Sequence, residues 1–182
     1  DSAFTAERDT AAVPHSLQAY VPGEGARTAG ISWLEGIDTV NVDYLARKTE
    51  LLSSQGVEVA ALTGELLARQ NADGGWGSNG SYKSSPADTA LALIALAETG
   101  EHTPAVVDPA IEYVLSKQNM DSGWGTDGRS NIETSVDVIS ALLPFRGRYQ
   151  LEIPIHNALT WVYGNQNQDG GFGNGSSTVY ST

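Results

Sequence analysis

The chain has 182 residues, 40% hydrophobic and 18% charged, which is enough for one buried core and is the composition of a globular protein rather than a disordered one. Its formal charge of −12, from 22 acidic against 10 basic residues, repels phosphate backbones and anionic lipid heads, and no Lys/Arg run opposes that field, so the composition argues against nucleic acid as a partner. Without cysteine there are no disulfides, thiolate metal sites or cysteine nucleophiles, and no apolar run approaches the ~20 residues of a membrane span.

Residue 1 is Asp, so the chain reads as a processed or excised piece of a longer product. Residues 1–29, rich in Ala, Thr, Gly and Pro and without a sustained period, read as an extended N-terminal arm or linker, leaving 30–182 as the folded domain. From Gly30, GISWLEG predicts a short helix. NVDYLARKTELLSSQ then places Val42, Leu45, Thr49 and Leu52 on one stripe before Gly56 stops the helix. A helix over about 57–69 carries Val59, Leu62, Leu66 and Leu67 into a Gly-rich turn.

That turn, Gln70-Asn71-Ala72-Asp73-Gly74-Gly75-Trp76-Gly77, returns as Gln118-Asn119-Met120-Asp121-Ser122-Gly123-Trp124-Gly125 and as Gln166-Asn167-Gln168-Asp169-Gly170-Gly171-Phe172-Gly173, 48 residues apart each time. A fixed period of this length marks stacked supersecondary units. Glycines at 75, 77, 123, 125, 171 and 173 are expected to allow positive φ and close packing. The Gln amide is expected to satisfy free backbone groups at neighbouring helix ends, under an aromatic that shields them. Gln70, Trp76, Gln118, Trp124, Gln166 and Phe172 are therefore read as structural residues of the repeat.

Between the turns the order repeats. Ser85-Pro86-Ala87-Asp88 reads as an N-cap, a first-turn proline and an acid, opening a helix that is apolar nearly all round and ends at Gly100. Two starts compete for the next helix, Thr103-Pro104 and Asp108-Pro109, and the later is favoured because an interior Pro109 would kink it. Ser130-Asn131-Ile132-Glu133 reads as a full capping box for a helix that Pro144 ends, and Pro154 starts a last helix. Ser181 and Thr182 fall where the period predicts a further buried helix, so the array is expected to be cut short or to continue. The result is an all-α fold of roughly three and a half helical hairpins.

The strings LLARQNADGGWG, YVLSKQNMDSGWG and WVYGNQNQDGGFG, each in register with the others, resemble the Gln-Trp repeat of the squalene/hopene cyclase and protein prenyltransferase β-subunit superfamily over about residues 30–182. The resemblance implies a partial or open α/α toroid, with helices at about 41–55, 86–99 and 131–143 forming an inner ring and the turns tying each outer helix to the next inner one. For chemistry it implies either a DxDD motif, whose middle Asp protonates an alkene, or a zinc held by Asp, Cys and His. Alignment on the DxDD motif puts Ala87 or Ile132 at the donor's place, and there is no Cys for the zinc. His15, His102 and His156 fall in an arm, a loop and a helix start, without ligand spacing. No catalytic residue, metal or cofactor is assigned.

The main reading is a non-catalytic repeat module of a larger, exported prokaryotic protein, acting as scaffold or binding surface. Its ligand, an apolar small molecule, would meet Asp88, Glu133, Asn131 and Tyr82 near the inner-helix starts. The alternatives are a fragment of an isoprenoid-processing enzyme with its catalytic residues elsewhere, and a carrier of a cobalamin-like molecule, since cobalamin-binding proteins resemble the same toroid. Asp73, Asn79, Asp121, Asp127 and Asp169 offer turn oxygens without calcium-loop spacing. Tyr82, Trp76, Trp124, Phe172 and Tyr180 are read either as ringing a binding mouth or as lids on the core. Open apolar ends predict association with other repeats, other domains or a second copy.

Overall fold

The computed structural model describes residues 24–80 and 82–173; His15, Tyr180, Ser181 and Thr182 and the arm as far as residue 23 lie outside them. Seven α-helices are present among the described residues: α1 Glu24–Glu35, α2 Val42–Ser54, α3 Ala60–Ala68, α4 Pro86–Glu98, α5 Pro104–Ser116, α6 Ile132–Leu142 and α7 Glu152–Gly164. They form the two layers of a toroid-type α/α repeat. α2, α4 and α6 pack successively on one another as the inner layer, and α3, α5 and α7 each pack on the inner helix before them.

The inner helices owe their burial to one pattern. Counted from the N-caps Asn41, Ser85 and Asn131, the fourth, seventh, eighth, tenth and eleventh helical residues are buried in all three helices. In α4 these are Thr89, Ala92, Leu93, Ala95 and Leu96, whose small alanines let neighbouring backbones approach closely. The seventh residue of α2 departs from the type. Lys48 is buried there, and its ammonium donates to the Glu35 and Ile37 carbonyls, 3.3 and 2.6 Å away, at the C-terminal end of α1.

Four boundaries differ from the sequence reading. Residues 24–29, assigned to the arm, are helical: α1 begins at Glu24, packs Ile31 and Leu34 against Leu51 and Leu52, and is held by Arg27 donating to Gln55. α3 begins at Ala60, three residues after the expected start at Val57. α7 begins at Glu152 rather than Pro154, which sits within its first turn, where a proline's missing N–H is harmless.

The fourth difference is Pro109, which lies inside a helix that starts at Pro104. Starting there adds Val107 to the buried stripe of Ala110, Ile111 and Val114, each at most 2% exposed, and this offsets the one hydrogen bond that Pro109 cannot make to the Ala105 carbonyl.

Candidate functional site

Each of the first two turns is a clasp between three helices. In the first, the Trp76 indole N–H donates to the Leu66 carbonyl near the end of α3 (2.8 Å), while the Trp76 backbone N–H donates to the Thr89 hydroxyl on α4 (2.9 Å). The Trp76 carbonyl accepts from the N–H of Ser85, the N-cap of α4. Trp124 repeats this with Val114, Ser135 and Asn131, and both indoles are fully buried. The glutamines reach further. Gln70 donates to Gly74 in its own turn and to Val106 in the next outer helix (2.8 and 2.9 Å), and Gln118 likewise to Ser122 and Pro154 (2.9 and 3.2 Å). Gln70, Trp76, Gln118 and Trp124 thus tie the helices on either side of the first two turns, while Gln166 donates within its own turn to Gly170 (2.6 Å).

The glycine reading needs correction. Of the six named glycines only Gly173 has positive φ; the left-handed place is one earlier, at Gly74, Ser122 and Gly170. Gly75, Gly77, Gly123 and Gly125 answer to space, as at Gly125, where a Cβ would lie 2.0 Å from the Arg129 carbonyl oxygen. The turn aspartates are likewise occupied with structure. Asp73, Asp121 and Asp169 each accept from the backbone N–H two residues on (3.1 Å), and Ser84 and Ser130 donate to the first two. Asp127 forms, with Gly128, the positive-φ loop of a hairpin between β1 Gly125–Thr126 and β2 Arg129–Ser130.

That hairpin shifts the register of the inner helix after it. From Trp76 to the N-cap Ser85 is nine residues, but from Trp124 to the N-cap Asn131 is seven. Asn131, not Ser130, caps α6, accepting from the Thr134 N–H at 2.8 Å, so Ser130-Asn131-Ile132-Glu133 is not the capping box it resembles. Ser130 corresponds to Ser84 instead: each donates to its turn aspartate at 2.6 Å and accepts from the turn asparagine at 2.9 Å. The residue matching Ala87 is therefore Glu133 rather than Ile132, and Thr134 matches Asp88.

The same count defines the inner face. The second, sixth and ninth helical residues are never buried: Asp43, Arg47 and Glu50 on α2, Ala87, Leu91 and Ile94 on α4, Glu133, Asp137 and Ser140 on α6. An apolar middle is flanked by charge. Arg47 pairs with Asp43 at 2.5 Å. Partial burial holds the Asp137 carboxyl above the usual aspartate range, helped by Glu133, Asp43 and Glu50 and opposed by Arg47. Asp88 is raised by partial burial, with Asp43 adding and the Ser85 hydroxyl, which donates to it at 2.6 Å, opposing.

The four residues expected at a ligand do not form one cluster. Asn131 caps α6, Asp88 accepts from the hydroxyl of Ser85, the N-cap of α4, and Glu133 is exposed on the inner face. Tyr82 lines a cleft beside the first turn together with Asp73, Tyr113 of α5 and Lys117, the residue that follows α5. The sequence reading missed Asp43, Arg47, Leu91, Ile94 and Asp137, which counting from the helix caps brings onto one face.

Among the described residues no group of three or more His, Asp or Glu side chains is arranged to hold a metal ion, and no helix is long and apolar enough to cross a membrane. No curated protein matches the chain. The sequence model of the squalene-hopene cyclase C-terminal domain matches residues 89–181, about half of the chain, running from α4 through the second and third turns. The chain accordingly belongs to the family of the squalene-hopene cyclase C-terminal domain.

Proposed function

We propose that this chain is a non-catalytic, cyclase-type repeat module whose inner-helix face binds an apolar small molecule. The observation that carries the reading is the state of the carboxyl groups at the second helical position, where the donor acid of a cyclase would stand. Asp43 is tied up with Arg47, α4 has Ala87, and Glu133 is exposed to water. A carboxyl that protonates an alkene must be kept protonated by a water-excluding site, and none of the three has one. Leu91 and Ile94 supply apolar contact between the charged rows.

A second reading, a piece of an isoprenoid cyclase, is favoured by the family match and by Asp137, half-buried and held above the ordinary aspartate range. Incubation with squalene, followed by product extraction and native mass spectrometry, separates the two. The first reading expects saturable binding and no cyclised product. Cyclised product that disappears in Asp137→Asn would overturn it.

Partners belong to the same proposal. Val136 and Leu143, each 42% exposed, stand where α4 has Ala90, fully buried, and Ala97, partly buried against the core. Gln166 donates to Gly170 alone among the described residues, whereas Gln70 and Gln118 each also reach the next outer helix. A further hairpin of the same kind fits this edge by continuing the repeated interface.

A further inference from the structure

Among the described residues α6 is the last inner helix, and one of its sides differs in kind from the other two. The fifth and twelfth helical residues, seven apart, share a side of the helix. In α2 that side faces the next inner helix, because the hydroxyl of Ser53, the twelfth residue, donates to the Glu98 carbonyl of α4, 3.3 Å away. The two places hold Ala46 and Ser53 in α2 and Ala90 and Ala97 in α4, small residues that let successive helices approach closely. On α6 and the short turn that extends it, Leu143–Phe145, they hold the exposed Val136 and Leu143.

The outer layer agrees. Tyr149, from the segment between α6 and α7, donates its hydroxyl to Asp108, so the side of α5 that carries Asp108, Ile111 and Leu115 faces the following hairpin. Its counterpart on α7, 48 residues on, carries His156, Leu159 and Tyr163, and Tyr163 is 68% exposed where Leu115 packs against the core.

The α6 side is also symmetric in its chemistry. Outward from Ser140 stand an apolar residue in each direction, Val136 and Leu143, then an acid, Glu133, and a base, Arg146, all of them exposed. The midpoints of the two pairs coincide beside Ser140. An antiparallel partner of the same sequence therefore sets each Glu133 against an Arg146 and each Val136 against a Leu143. A further in-chain repeat, entering as α4 and α6 do, makes no use of that symmetry.

We propose that this edge pairs with the same edge of a second copy of the chain about a two-fold axis, α6 antiparallel to α6 beside Ser140 and α7 next to α7. The proposal rests on the reading that a hairpin completes this edge, and it names whose hairpin that is. An axis directed from the inner layer to the outer one leaves both inner faces on the same side, so the dimer offers a ligand a face twice as wide.

The test is sedimentation equilibrium of the whole chain. A monomer–dimer equilibrium is expected, with dimer predominant at about 100 µM. Glu133→Arg is expected to raise Kd about tenfold, because each dimer gains two like-charge pairs, and Arg146→Glu added to it is expected to restore Kd to within about threefold. Both residues are exposed, so circular dichroism of the variants should be unchanged, and it reports folding independently. Ser140→Cys introduces the chain's single thiol, and a short bis-maleimide is expected to join two copies there. A monomer at that concentration would overturn the proposal and return the edge to a hairpin of the same chain, while the squalene experiment still reads inner-face binding. A ladder of higher oligomers, a dimer that Ser140→Cys does not cross-link, or a double reversal no tighter than Glu133→Arg would overturn it as well.

Discussion

Replacing Trp76 by alanine is expected to lower stability by about 4–5 kcal/mol, most of what a small domain has to lose. The side chain is fully buried, so truncation leaves an indole-sized void, and it also removes the donor to the Leu66 carbonyl. For a chain of this size the loss corresponds to a fall of about 10–15 °C in Tm, read by circular dichroism. Trp76→Phe retains ring contact but not the donor, as Phe172 does in the third turn, and should cost about 1–2 kcal/mol. A loss below about 1.5 kcal/mol for Trp76→Ala would mean that the turn does not hold the layers.

Gly74→Ala is expected to destabilise by about 3 kcal/mol, although it adds one methyl group. The backbone there has φ 86°, and a Cβ would lie 2.3 Å from the Pro109 carbonyl oxygen, which belongs to the backbone and cannot rotate away. The second turn allows the opposite experiment. Ser122 already has φ 75°, so Ser122→Gly should relieve the strain and stabilise by about 0.5–1 kcal/mol in denaturant titration. Equal and small effects at both sites would place the strain elsewhere.

These turns also explain what could be read in the sequence. The Gln, Asp, Gly and aromatic places recur every 48 residues because each has a fixed hydrogen-bond partner or a fixed lack of space, and the apolar stripes between them define the inner helices. The constant period, however, hides a compensation. The segment from Trp to N-cap shortens from nine residues to seven, while that from N-cap to the next turn aromatic lengthens from 39 (Ser85 to Trp124) to 41 (Asn131 to Phe172). Matching Ser85-Pro86-Ala87-Asp88 to the similar string Ser130-Asn131-Ile132-Glu133, although Asn131 is the cap, aligned Ile132 with Ala87 and concealed that Asp43, Ala87 and Glu133 are equivalent.

Pro109 escaped for a different reason. Local propensity rules against an interior proline, and only the tertiary burial of Val107 reverses that preference. The inner face was illegible because Arg47, Leu91 and Asp137 form no motif along the chain. They come together only when three helices are counted from their own caps.

If the Trp76 and Trp124 indoles fasten one helical layer to the other, hydrogen exchange at their indole N–H groups is where that fastening is most directly measured. With donors buried and bonded at 2.8 Å, both should exchange only through global unfolding, while Trp33, 42% exposed, should exchange rapidly. Exchange at Trp76 or Trp124 as fast as at Trp33 would contradict the clasp.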